Sequence, residues 1–366
     1  MPAKEATPFS EALDRRVDEG ALGTLYEKLP DNQVRCYACA HRCLIKDGLR
    51  GICKVRYNRG GTLMVPRGYV GALQCDPIEK KPFFHAFPGT DALTFGMLGC
   101  DLHCSYCQNW VTSQALRDPG ALTEPMDVSP QQLVDIAQRQ GATVVATSYN
   151  EPLITSEWAV EVFTAARPRG FTTAYISNGN ATREVLEYIR PWTDLYKIDL
   201  KSFRDKNYRS LGGKLENIVN GIQMVHEMGF WLEIVTLIIP GFNDSDEELG
   251  DIARFLSGLS PSIPWHVTAF HKDYRMQDPD NTGPDTLLRA ARIGEAAGLQ
   301  YIYAGNLPGR VGRYEDTRCP RCQTTLIRRI GYRILDDRLS DRGSCFNCRQ
   351  PIPGVWRTTI NAGRAN

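Results

Sequence analysis

The sequence predicts an α/β protein, a partial or complete (β/α) barrel with a small cysteine-rich module at each end. Three observations carry this. Short apolar runs alternate with longer amphipathic stretches from about residue 93 to residue 305. Polar or glycine-containing motifs recur just after those runs. The cysteines gather into three groups, two of them outside the alternating region. Strand–helix alternation at this pitch means a mostly parallel sheet with right-handed crossovers.

The elements follow in order. Residues 1–30 read as a helical lead-in with loose apolar spacing. Residues 34–62 form the first cysteine module and close in Asn58-Arg59-Gly60-Gly61, a turn signal. Residues 63–92 carry short apolar runs and then a charged, proline-containing segment. Strands are expected at 93–98, 143–149, 172–177, 194–200, 231–239, 265–270 and 299–305. Helices are expected at 129–141, 156–170, 181–192, 215–229, 245–259 and 285–298. The first of these has Ser129 as N-cap, Pro130 at the first helical position and Gly141 at its end. The resulting division is 1–62 for an N-terminal module, 63–312 for the barrel and 313–366 for a C-terminal module.

Composition narrows the function. A chain of 366 residues, 42% hydrophobic and 23% charged, reads as soluble and globular. Its formal net charge of +1 argues against nucleic acid or an anionic membrane as a general partner. No apolar run approaches the roughly 20 residues of a spanning helix, and the N-terminus lacks the apolar core of a signal peptide. The cytoplasm is therefore the expected compartment. There, twelve cysteines argue for metal or redox chemistry rather than disulfides.

The central group is Cys100, Cys104 and Cys107, spaced C-x3-C-x2-C directly after the first predicted strand. Three thiolates could hold zinc with a fourth ligand such as His103. They could be core cysteines. Or they could hold three irons of a 4Fe–4S cluster and leave the fourth iron open, which is how a metal site becomes catalytic. The C-terminal edge of a barrel strand favours the last reading.

The terminal groups differ. Cys319-x2-Cys322 and Cys345-x2-Cys348, twenty-two residues apart, have the spacing of a zinc ribbon, with a rubredoxin-like iron as the alternative. Cys36, Cys39, Cys43 and Cys53 could hold zinc or a second iron–sulfur cluster, with His41 as a competing ligand. The loose last spacing leans toward zinc. Cys75 stands alone, a simple thiol or a substrate-side residue.

The C-x3-C-x2-C motif with aromatic Tyr106 before its last cysteine is the signature of the radical S-adenosylmethionine (SAM) superfamily. The segments CYACAHRCLIKDGLRGICKVRYNRGG, DPIEKKPFFHAFPG, GCDLHCSYCQNW and SYNEP narrow the likeness. They resemble the radical SAM member of the AmmeMemoRadiSam group, related to the pyruvate formate-lyase activating enzymes, over roughly residues 30–310.

The resemblance implies a TIM-like radical SAM barrel that cleaves SAM reductively at a 4Fe–4S cluster. The 5′-deoxyadenosyl radical so formed would take hydrogen from a substrate: a partner protein, a small molecule or RNA. A one-electron donor of flavodoxin or ferredoxin type would be needed. AMMECR-type and Memo-type proteins are partners by association.

The resemblance also suggests residues that hold SAM. Asn150 and Glu151 stand where the family places its amino-group motif, though YNEP replaces the usual Gly-Gly-Glu. Ser177 and Asn178 could meet ribose hydroxyls. Asp199 and Lys201, which strand alternation puts on one side of the sheet, would hold the methionyl part. His271 is carried over as a SAM contact, with His266 as the competing histidine. The loop 240–244 would lie under the adenine, and Leu102, His103 and Tyr106 would line the cluster. The rival class is a non-catalytic adaptor built from three zinc modules.

Overall fold

The computed structural model describes residues 19–340 and 343–356. Its centre is an eight-stranded sheet. In chain order the strands are β1 (Ala72–Pro77), β2 (Asp91–Gly96), β3 (Val144–Thr147), β4 (Thr172–Ser177), β5 (Leu195–Asp199), β6 (Trp231–Ile238), β7 (Trp265–Ala269) and β8 (Ile302–Gly305). They lie side by side in sequence order. Strands β2 to β8 are parallel, with Val144 opposite Ala92 and Ala174 opposite Leu195, whereas β1 runs antiparallel to β2. The strands β1 and β8 do not pair, so the barrel is partial.

Six helices cover the parallel strands: α1 (Pro130–Arg139), α2 (Ser156–Ala166), α3 (Arg183–Ile189), α4 (Leu215–Glu227), α5 (Asp246–Leu259) and α6 (Pro284–Ala296). Helix α1 begins in a full capping box: Ser129 accepts from the Gln132 amide, and the Gln132 side chain accepts from the Ser129 amide. The strands β3 and β4 are buried at every position, as expected for a sheet covered on both faces. No helix among the described residues is long and apolar enough to cross a membrane.

Two expectations are corrected. Residues 19–30 are not helical; Ala21–Leu22 and Tyr26–Leu29 are strands, pairing with Thr62–Val65 and Gln33–Cys36. The expected helix over residues 1–18 lies outside the described residues. Strand β1 was not expected. Its half-buried edge position gives ALQCDP no clean alternation to read.

Both terminal modules are fastened to the barrel. Arg56 makes a two-pronged ion pair with Glu157 on α2, at 2.7 and 2.8 Å, with both side chains buried. Glu157 also accepts from the Thr24 and Leu25 amides. At the other end, Phe84, Tyr301, Tyr303, Leu326, Ile327, Ile352 and Trp356 share one apolar cluster with the C-terminal cysteines. The hairpin formed by Thr325–Ile330 and Arg333–Asp337 covers the open side. Arg329 bonds the Phe84 carbonyl there at 3.0 Å, and the Tyr332 hydroxyl donates to Asn306 at 3.2 Å.

Candidate functional site

A cavity of about 370 Å³ opens at the C-terminal edge of the parallel strands and runs down into the barrel. That volume falls in the usual range for small-molecule sites. Cys100, Cys104 and Cys107 all line it.

The loop that carries them is pinned on both sides. Gly99 has φ +87°, and a Cβ there would lie 2.8 Å from the Cys53 carbonyl, so only glycine fits. Arg117 donates to the carbonyls of Cys100 at 2.8 Å, Leu102 at 3.0 Å and Ile52. The Leu102 amide points at the Cys100 sulfur at 3.4 Å, and Ser113 Oγ lies 3.1 Å from the Cys107 sulfur. Burial pushes all three thiols up in pKa, while Lys201 works against this at Cys104 and Cys107. A bound cation would reverse the shift, because a coordinating thiol is held deprotonated.

Beneath the loop sits a buried polar floor. Asp101 accepts from the Asn178 and Asn180 side chains, each at 2.7 Å. Glu151 accepts from the Ser177 hydroxyl at 2.7 Å, the Asn178 amide at 2.7 Å and the Leu153 amide at 3.1 Å. Burial, with the charge of Asp101 added, pushes the Glu151 carboxyl well above the usual carboxylate range. Asn150 accepts from the Met97 amide at 3.0 Å and so ties its turn to β2.

The same cavity is lined by a charged row on β5, with Lys201 in electrostatic reach of Cys104 and Cys107. Lys197 Nζ lies 2.5 Å and Lys201 Nζ 3.6 Å from the two oxygens of Asp199. Burial raises the Asp199 carboxyl, but the two lysines outweigh it and hold the group ionised. Lys197 was not singled out from the sequence, although it has the same parity as Asp199 and Lys201 along β5. Arg117 and Asp101 were missed too. Their partners come from distant segments, and no sequence signal points to them.

Of the expected SAM contacts, Tyr106, Asn150, Glu151, Ser177, Asn178, Asp199 and Lys201 all line the cavity. His271 does not; it is exposed, with its ring 3.1 Å from the Gln108 amide nitrogen. His266 does line it, buried and 2.7 Å from Glu233. Leu102 lines the cavity, but His103 turns outward over Gly212, where a Cβ would meet its ring at 2.6 Å. Residues 240–244 lie outside the lining, although the Phe242 ring stands edge-on to Tyr106 at 5.8 Å. Cys75 sits half-buried on β1, outside the lining.

The C-terminal thiols form a different kind of site. The sulfurs of Cys319, Cys322, Cys345 and Cys348 all lie within 4.8 Å of one another. They are close enough to share one ion. Among the described residues this is the one such set of three or more His, Cys, Asp or Glu groups. Neither the central triplet nor any three of Cys36, Cys39, Cys43 and Cys53 belong to such a set.

A partial α/β barrel with three thiols lining a cavity at the C-terminal edge of its parallel strands defines a class: a barrel protein whose cysteines face its cavity. The comparisons name the family. The family model described as "Radical SAM superfamily" matches residues 95–256. An uncharacterized protein of Methanocaldococcus jannaschii is 36% identical over 306 residues, covering 83% of this chain and 90% of the relative. The pyruvate formate-lyase-activating enzyme of Staphylococcus aureus is 24% identical over 226 residues, 56% of this chain and 88% of that enzyme. Among solved structures, a domain of the activating enzyme from Bacteroides vulgatus aligns with a TM-score of 0.39. It is 22% identical and covers 44% of this chain and 98% of that domain. A radical SAM methyltransferase from Sphaerobacter thermophilus aligns with a TM-score of 0.46. It is 16% identical and covers 62% of this chain and 70% of that one.

The chain belongs to the radical SAM superfamily and is a radical SAM enzyme. SAM and a 4Fe–4S cluster are its implied cofactors, and a one-electron donor its implied partner. The residues fit that pair of cofactors. Three thiols share one wall without the spacing of a single-ion site. The buried Tyr106 hydroxyl beside them has no hydrogen-bond partner among the described residues. A carboxylate flanked by two ammonium groups faces the same space.

Proposed function

We propose that Cys100, Cys104 and Cys107 each hold one iron of the 4Fe–4S cluster, leaving the fourth iron for SAM, and that the enzyme takes hydrogen from a partner protein. The observation that carries the site reading is that the three thiols line one cavity without the close spacing of a single-ion set. Thiolates on a single zinc stand about 3.8 Å apart, since Zn–S is about 2.3 Å and the site tetrahedral. Thiolates on different irons of a cluster stand wider.

The cluster and SAM together supply reductive cleavage to a 5′-deoxyadenosyl radical. The chain's own residues bind and orient. Asp199, kept ionised by Lys197 and Lys201, offers a carboxylate to accept from the SAM amino group, and Lys201 a cation for its carboxylate. Glu151 and Asn150 act as positioning residues, because their hydrogen-bonding capacity is already spent on the floor. Ser177 and Asn178 belong to that floor. The side chains of Val235 and Leu237 line the cavity and exclude water. His271, at the exposed rim, stays a candidate only for a closed state.

The partner-protein substrate is supported by the Staphylococcus aureus activating enzyme among the relatives. AMMECR-type and Memo-type proteins are the first candidates, and flavodoxin or ferredoxin the donor. The C-terminal set, tight enough for one tetrahedral ion, suits structural zinc. The domain limits 1–62, 63–312 and 313–366 are proposed as units of function, with the C-terminal one serving as a cover for the open barrel side.

An anaerobic assay tests this. Reconstituted protein with dithionite should turn SAM into 5′-deoxyadenosine. With a deuterated candidate protein, label should appear in that product. A colourless protein holding zinc only, with no SAM cleavage, would favour the adaptor instead. Label transfer from a small molecule and from no protein would remove the partner-protein substrate.

A further inference from the structure

The N-terminal cysteines remain unused by this function. Cys36 ends the strand Gln33–Cys36, and its amide donates to the Cys43 carbonyl at 3.0 Å. Arg42 at φ +45° and Lys54 at φ +70° mark the tight turns beside Cys43 and Cys53. Cys36, Cys39 and Cys53 are buried, Cys43 partly so, and all four are free thiols. Four free thiols in electrostatic reach of one another, three of them buried, are the make-up of a metal centre.

Spacing selects the centre. No three of these sulfurs lie within 4.8 Å of one another, although the C-terminal set of the same chain meets that spacing with all four. Sulfurs sharing one zinc would be about 3.8 Å apart. The N-terminal thiols share the wider arrangement of the central triplet.

Position gives the centre a task. The module abuts the back of the triplet loop. The Cys53 carbonyl is what leaves Gly99 no room for a Cβ. Arg117 bridges the carbonyls of Ile52 and Cys100, and His41 Nε2 lies 3.2 Å from the Asp101 carbonyl. The buried Asp101 carboxylate is 3.7 Å from the Cys100 sulfur and in electrostatic reach of Cys39 and Cys43. Cys43, the least buried of the four, is followed in sequence by the exposed Leu44, and Ile52, before Cys53, is exposed too.

We propose that Cys36, Cys39, Cys43 and Cys53 hold a second 4Fe–4S cluster that passes single electrons from the reduced protein donor toward Cys100. The relay rests on the reading of the triplet as the core cluster site; the second cluster itself does not. One electron leaves a flavodoxin or ferredoxin and one arrives at the core site. No bond is made or broken in the module.

Metal content and spectra test it in the full-length chain. Three proteins are reconstituted anaerobically: wild type, the triple variant C100A/C104A/C107A, and C36A/C39A. The expected wild-type content is about eight irons and eight sulfides, beyond any single ion in the C-terminal set. The triple variant leaves the four N-terminal thiols intact, so it stays informative even if C36A/C39A folds poorly. It should keep about half the iron, with a reduced-cluster electron paramagnetic resonance signal that SAM does not alter.

The C36A/C39A variant should still cleave SAM with dithionite. Its rate with reduced flavodoxin should fall at least tenfold. A triple variant free of iron but holding one zinc more than the C-terminal set would overturn the second cluster. An unchanged flavodoxin-driven rate in C36A/C39A would overturn the relay. If C36A/C39A removed all the iron from wild type, the core reading would fall and the second cluster stand.

Discussion

The chain folds its cysteines at two spacings, and the contrast between the central loop and the C-terminal set shows what each is built for. In the C-terminal set two hairpin-like turns bring four sulfurs within 4.8 Å, with Cys319 to Cys348 at 3.5 Å and Cys322 to Cys345 at 3.7 Å. In the central loop the sulfurs line a cavity and have other partners: Ser113 at Cys107 and the Leu102 amide at Cys100, with Arg117 on the Cys100 and Leu102 carbonyls. The first arrangement is close enough to share one ion, whereas the second lines a cavity without that spacing. Local sequence already separates the two, three cysteines at C-x3-C-x2-C against two C-x2-C pairs. The framework around them sets the distances.

The largest expected effect breaks the central side of this contrast. Cys104→Ala should abolish SAM cleavage, read as 5′-deoxyadenosine at background level, while the C-terminal ion and the thermal midpoint of the barrel are retained. Retained cleavage would mean that the triplet is not the cluster site.

Breaking the C-terminal side should look different. Cys345→Ser should lose the bound ion and expose Trp356, now buried in the apolar cluster beneath the ribbon. Binding of the ion is folding energy for such a module, on the order of 10 kcal/mol when the whole module depends on it. Tryptophan emission should shift to the red. An unshifted spectrum with the ion absent would show that the cluster of Phe84, Tyr303 and Trp356 holds the ribbon alone.

A third change sharpens how the N-terminal module depends on the barrel. Glu157→Ala leaves Arg56 buried and unpaired, which should cost about 3–5 kcal/mol, measured by denaturant unfolding. The same pair sets a pH dependence. Burial alone would raise the Glu157 carboxyl, but Arg56 outweighs it and holds it below its ordinary value. The pair therefore stabilises fully above the unfolded pKa, about 4.3, and its contribution is lost as pH falls through the lower folded value. Unfolding midpoints in the wild type should drop over that acid window, and those of Glu157→Ala should drop less.

The smallest effect lies in the charged row on β5. Asp199→Asn should raise the SAM concentration needed for half-maximal cleavage roughly tenfold, the size of a lost hydrogen bond to a charged group of about 1.5 kcal/mol. The cluster spectrum without SAM should not change. A variant with unaltered SAM dependence would take Asp199 out of the binding site.

Much of this was legible along the chain, where the physics is local. Each parallel strand was anticipated within three residues, because buried β-branched runs between capped helices leave few alternatives. The triplet stood out because its three cysteines lie within eight residues. Asp199 and Lys201 followed from period-two alternation, and Lys197 was available by the same rule. The rest depends on distant partners. The half-buried edge strand β1 takes its place from pairing with β2. The hydrogen bonds of Asp101 with Asn178 and Asn180 span more than seventy residues. The resemblance put His271 ahead of His266 as the SAM contact. Only the fold sends one into the cavity and the other to the rim. The distances between thiols were also unreadable, because segments far apart in the chain meet there, as where the Cys53 carbonyl closes on Gly99.

The most direct measurement is electron–nuclear double resonance on the reduced, reconstituted enzyme with SAM carrying ¹⁵N at its amino group and ¹⁷O at its carboxylate. Three thiols and one open iron predict hyperfine coupling of both labels to the cluster, abolished in C100A/C104A/C107A. A wild-type spectrum with neither coupling, and a fourth side chain bound to the remaining iron, would contradict the account.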